Sequence, residues 1–72
     1  MYTISVANNK LLKIVKADTG VIINHIQVRS GELDGSPIVL GDRCTFIVKD
    51  GDQRIGMIYK IPSGTFLTNF RT

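Results

Sequence analysis

Apolar and polar residues alternate along most of the chain in short runs, and each run ends at Gly, Pro, Asp, Asn or Ser. Tyr2-Thr3-Ile4-Ser5-Val6 alternates with period two, the mark of a strand with one buried face. Asn8-Asn9 follows as a turn signal, because Asn tolerates positive φ. Lys10–Lys16 has a spacing that suits a short helix or a strand. Seven residues are few for a helix and strand signals flank it closely, so a strand is expected. Ala17-Asp18-Thr19-Gly20 breaks the chain, and β-branched Val21-Ile22-Ile23 opens a third run that Asn24 and His25 interrupt before Ile26 and Val28.

The stretch from Ser36 to Phe70 reads as four strands and three turns. The turns are Gly41-Asp42, Asp50-Gly51-Asp52 and Pro62-Ser63-Gly64, residues that preset turn dihedrals or relieve turn strain. Seven antiparallel strands are therefore expected, near 2–7, 10–17, 21–28, 37–40, 43–49, 54–61 and 65–71. The predicted class is all-β, one small domain. It comprises a three-stranded unit (1–28), a polar, Gly-rich connector (29–36) and a four-stranded unit (37–72).

The two units resemble each other. A gapless shift from Gly20 to Gly64, forty-four positions, sets Tyr2 on Phe46, Ile4 on Val48 and Ile14 on Ile58. It also sets Lys16 on Lys60, Thr19-Gly20 on Ser63-Gly64, Ile22 on Phe66 and Ile26 on Phe70, with Asn8-Asn9 on Asp52-Gln53. Periods of roughly 40–50 residues with four strands each are those of propeller blades. On this repeat Phe46 and Phe66 are expected to be buried, and the aromatics Tyr2, Phe46, Phe66 and Phe70 to serve core or intersubunit packing. A small barrel or sandwich is the alternative to two blade-like units.

Size changes the picture. A chain of 72 residues buries only roughly 60% of its unfolded surface, so its core is marginal. Disulfides, metals or partner subunits usually support such folds. One cysteine, Cys44, admits no internal disulfide and reads as a small core residue. His25 and Cys44 cannot complete a structural zinc site, which leaves partner subunits. The net charge of +3, nine Lys/Arg against six Asp/Glu, is mild and spread along the chain. It suits solvated strand faces or, more sharply, an anionic partner. The start Met1-Tyr2-Thr3-Ile4-Ser5 carries no secretory signal pattern, and no apolar run is long enough to span a bilayer.

Two resemblances follow from particular residues. Gly35-Ser36-Pro37-Ile38-Val39-Leu40-Gly41-Asp42-Arg43 together with Ile58-Tyr59-Lys60-Ile61-Pro62-Ser63-Gly64 resembles quinoprotein-type (PQQ-like) β-propeller blades, and Leu12 to Gly20 matches the second half of that pattern again. Cofactor-binding members of that family use a stacking tryptophan, and this chain has no Trp, so no quinone is implied. The whole chain is also similar to small β-rich structural proteins of tailed-bacteriophage virions. That similarity lies in Lys13-Ile14-Val15-Lys16-Ala17-Asp18-Thr19-Gly20 and in Tyr59-Lys60-Ile61-Pro62-Ser63-Gly64-Thr65. It implies a virion location, with synthesis in the host cytoplasm.

Catalytic chemistry finds no support in the sequence. The lone His25 reads as a surface or core-edge residue, and no nucleophile elbow accompanies it. Asp50-Gly51-Asp52 is too short for a calcium loop, since Gln53 and Arg54 end the acidic run. Ser30-Gly31-Glu32 and Ser63-Gly64-Thr65 read as turns rather than phosphate cradles. No catalytic, metal or cofactor residue is expected. The expected function is structural: a non-enzymatic, self-associating virion component of a tail, neck or capsid surface, pairing with its own copies or with a larger virion protein. The alternative is a small basic β module that binds nucleic acid, with Tyr59 beside Lys60 or Phe70 beside Arg71 as stacking groups. No membrane partner is expected. The counterpart of Ser36–Leu40 would precede Met1, so one sheet is expected to be short of a strand.

Overall fold

A computed structural model describes all residues 1–72 and contains seven strands and no helix. The strands are β1 (Tyr2–Asn8), β2 (Leu11–Lys16), β3 (Ile22–Gln27), β4 (Glu32–Leu40), β5 (Arg43–Asp50), β6 (Gln53–Lys60) and β7 (Thr65–Arg71). They form two antiparallel sheets, β1-β2-β3 and β4-β5-β6-β7. The sheets stay open rather than closing into a barrel, and they pack face to face as a small sandwich. Lys10–Lys16 forms a turn residue and a strand, as its short length and its neighbours predict.

One boundary moves. The expected connector 29–36 shrinks, because β4 begins at Glu32 rather than at Pro37. Glu32, Leu33 and Asp34 pair with Lys49, Val48 and Ile47. An irregularity between Asp34 and Ile38 then lets the strand resume, with Gly35 at φ +82° inside it. A bulge absorbs extra residues and bends a strand without ending it, so Glu32 to Ser36 resembled a connector while belonging to a strand.

The repeat is realised in the hairpins. In β2–β3, Leu11 faces Gln27, Leu12 faces Ile26 and Ile14 faces Asn24, with a shift between Ile14 and Val15. In β6–β7, Ile55 faces Arg71, Gly56 faces Phe70 and Ile58 faces Thr68, with the shift between Ile58 and Tyr59. Each pair and the irregularity recur forty-four residues later. So does the turn: Gly20 N–H donates to the Lys16 carbonyl at 2.8 Å, and Gly64 N–H to the Lys60 carbonyl at 2.8 Å. Gly20 and Gly64 both hold positive φ, +76° and +73°.

The preceding strands break the repeat. Tyr2 faces Lys16, yet Phe46 faces Met57 instead of Lys60, three positions away. The β5–β6 turn lies at Gly51-Asp52, two residues ahead of the position that matches Asn9-Lys10. An odd slip exchanges the faces of a strand. In the first sheet Leu12, Ile14 and Ile26 point inward and are buried. Their counterparts Gly56, Ile58 and Phe70 share the outward face, while Met57 and Tyr59 join the core.

The core consists of Leu12, Ile14, Ile26 and Val28 packed against Cys44, Phe46, Val48 and Ile61. Tyr2, Ile4, Leu33, Val39, Met57 and Tyr59 flank it. Phe46 is 2% exposed and stacks on Tyr59 at 5.5 Å, and Tyr59 meets Phe66 edge-on at 5.5 Å. The expectation that Phe66 is buried fails: it is 49% exposed. Three strands cannot cover four. β1 lies beside β4, where Leu33 N–H donates to the Asn9 carbonyl, so the uncovered strand is β7 at the far edge. Phe70, 42% exposed on the outer face, is likewise not part of this core.

Cys44 is a core residue, as its setting in a β-rich run predicts. Burial pushes its thiol from 9.0 up to about 11. Between those values the unfolded chain holds fewer protons than the folded one, so stability falls as pH rises. The expected loss is about 2–3 kcal/mol across that window. Urea denaturation of the wild type and Cys44→Ala at stepped pH checks it, because the difference between them isolates the thiol. Parallel curves for the two proteins would mean the thiol contributes nothing.

Candidate interaction surfaces

The four sheet edges are unequal. On one side β1 and β4 adjoin, and β4 carries Glu32, Asp34, Pro37 and the bulge. Charges, proline and bulges are the devices that stop an edge from pairing with another chain. On the other side β3 (Ile-Ile-Asn-His-Ile-Gln) has no formal charge and no proline, and β7 (Thr-Phe-Leu-Thr-Asn-Phe-Arg) has only the terminal Arg71. Every residue of β7 is exposed. Ile22 (47%), Ile23 (41%) and Leu67 (40%) add wet apolar area there. Gln27, Val28, Ile55, Met57 and Tyr59 line a groove between the sheets on this open side.

The open side is held in shape by polar staples. Asn24 faces Ile14 and is therefore directed inward; its Nδ2 donates to the carbonyls of Pro62 (3.1 Å) and Ser63 (2.9 Å). This ties β3 to the β6–β7 turn. Ser30 Oγ donates to Asp50 Oδ2 at 2.7 Å, and Lys10 Nζ to the Gly31 carbonyl at 2.7 Å, fixing the crossover between sheets. These bridging roles of Asn24, Ser30 and Lys10 had no sequence signal, since each partner lies twenty or more residues away.

The outer face of the four-stranded sheet is the second surface. Cross-strand register assigns its rows. One end row holds Leu40, Arg43, Lys60 and Thr65. The middle rows hold Ile38, Thr45, Ile58 and Thr68, then Asp34, Ile47, Gly56 and Phe70. The other end row holds Glu32, Lys49 and Arg54. Phe70 lies across Gly56, so close that a Cβ on Gly56 would overlap its ring. Arg43, Lys49, Arg54 and Lys60 are exposed, as are Ile38 (58%) and Leu40 (71%). Arg54 Nε meets Asp34 Oδ2 at 3.2 Å with both side chains in solvent, a pair that contributes little.

The residues weighed for chemistry do not converge. His25 is exposed on the outer face of the first sheet, opposite Lys13, and its backbone N–H donates to Asn24 Oδ1. Asp50 serves Ser30, and no group of three or more His, Cys, Asp or Glu gathers to hold a metal. Tyr59 belongs to the inner stack and is not free to receive a base, whereas Phe70 is. No helix is long and apolar enough to cross a membrane. Comparison with protein-family models, with curated proteins and with solved structures found no match to this chain.

Proposed function

We propose that this chain is a structural, self-associating β protein whose copies join through the open β3/β7 side. The single observation that supports this is the exposed apolar area on the open side: β3 and β7 leave Ile22, Ile23, Phe66 and Leu67 in solvent along edges that carry no proline and no charge but Arg71. Only nine of 72 residues are buried, so added burial between copies would enlarge a small core. A twofold axis normal to the sheets would set β7 against its copy in antiparallel pairing and bring the two β3 edges together, an isologous contact. Placement in a tailed-phage particle, in tail, neck or capsid surface, is carried by the resemblance of Lys13–Gly20 and Tyr59–Thr65 to virion proteins of that kind.

Sedimentation of the purified chain tests the proposal. The wild type is expected as a dimer or larger closed species. Leu67→Lys combined with Asn69→Lys, which places charge on the edge, is expected to yield a folded monomer. A monodisperse wild-type monomer at tens of micromolar would overturn self-association through this edge.

A further inference from the structure

We infer that the outer face of the β4-β5-β6-β7 sheet binds single-stranded nucleic acid. The face is apolar along its middle rows and cationic at both ends. Its Gly56, Ile58 and Phe70 occupy the positions that in the first sheet are the core residues Leu12, Ile14 and Ile26. The register slip turned them outward, so this face presents a half-exposed aromatic ring and isoleucines where solvated strands ordinarily carry polar residues.

Charge decides the occupant. Arg43 and Lys60 face each other at one end of the two central strands, and Lys49 and Arg54 face each other at the other end. Like charges directly opposite are unfavourable unless something negative sits between or above them. The two acids on this face, Glu32 and Asp34, lie on the edge strand at the Lys49/Arg54 end, leaving Arg43 and Lys60 without an acidic partner in their row.

A second copy of the chain does not fit. Any twofold that stacks this face on itself, along or across the strands, sets one cationic row on a cationic row. The match is a ligand with negative charge along its length and flat apolar groups between the charges. A single strand has that chemistry: bases stack on an aromatic ring while phosphates meet Lys and Arg. The cationic rows are six residues apart on β5, about 20 Å along the strand. Phe70 and Ile58 lie in the rows between them. A duplex hides its base faces and would use only the cations.

Fluorescence anisotropy with labelled oligothymidine, oligouridine and a duplex of equal length tests this on the full chain. Both single strands are expected to bind, with log affinity falling on log salt at a slope of about −2 to −3, for three to four phosphate contacts. The duplex is expected to bind more weakly than either. Phe70→Leu keeps a cover on Gly56 and removes the stacking surface; about a tenfold loss is expected. Arg43→Glu with Lys60→Glu is expected to lose more. Lys16→Glu with Arg29→Glu makes the same change in net charge away from this face and is expected to retain binding. Thermal unfolding of each variant establishes that it is folded. No binding at low salt, equal loss in the two charge-reversal pairs, or a duplex bound as tightly as the single strands would each overturn the inference.

Discussion

Phe46→Ala is expected to unfold this protein or bring it to the brink, while Phe66→Ala leaves it folded. The two phenylalanines belong to one aromatic row, Phe46 to Tyr59 to Phe66, with centroids 5.5 Å apart at each step. Their surroundings differ. Phe46 is 2% exposed within the core cluster and stacked on Tyr59, and truncation there leaves a cavity that costs about 3–5 kcal/mol. A domain with nine buried residues has little more than that to lose. Phe66 is half in solvent at the edge, so its truncation removes one edge-on contact and part of its burial, about 1–1.5 kcal/mol. Urea titration of both variants checks the pair. Equal losses would mean that β7 is covered in solution, which the edge-paired assembly would also bring about. Repeating the measurement on the edge-charged monomer separates the two causes.

Gly31→Ala is expected to be the most damaging substitution among the glycines that hold positive φ. Gly31 sits in the crossover between the sheets at φ +82°, where a side chain is strained. A Cβ there would also lie 2.6 Å from the Lys49 carbonyl oxygen and 2.8 Å from Val48 Cγ1, so the end of β5 must move. The left-handed backbone costs roughly 1–2 kcal/mol. Overpacking against fixed backbone adds about 1–3 kcal/mol. Gly20→Ala is the control: its φ is +76°, but nothing lies within 4 Å of the added carbon. It should show the conformational cost alone. The difference between the two denaturation midpoints therefore measures the close approach of the crossover to β5. Equal midpoints would mean that the crossover yields.

Phe70 marks how far one sequence pattern carries. The shift of forty-four aligns it with Ile26, which is 2% exposed, and a packed position was the natural reading. Its hairpin does have the register of the Ile26 hairpin, pair for pair. Yet Phe70 is 42% exposed, because the hairpin is attached to β5 three residues out of step and presents its other face to the core. Hairpin register is local, set by the turn and the pleat, so it was legible. The face that a hairpin turns inward depends on the strand it joins and the sheet it covers, and nothing within its own residues records that.

The sequence alone determined the seven strands, the positions of the turns between them and the burial of Cys44. Each follows from nearest neighbours: alternation, β-branching and residues that tolerate positive φ. Only the tertiary structure decided that β4 starts at Glu32, since the bulge before Ile38 is stabilised by pairing with β5 rather than by its own Gly-Ser-Pro run. Only it decided that β1 meets β4 and leaves β7 bare, since the offset between sheets of three and four strands is a property of packing. The same long-range choice exposes Phe66 and turns Gly56, Ile58 and Phe70 outward, because register and sheet stacking are settled between segments far apart in the chain.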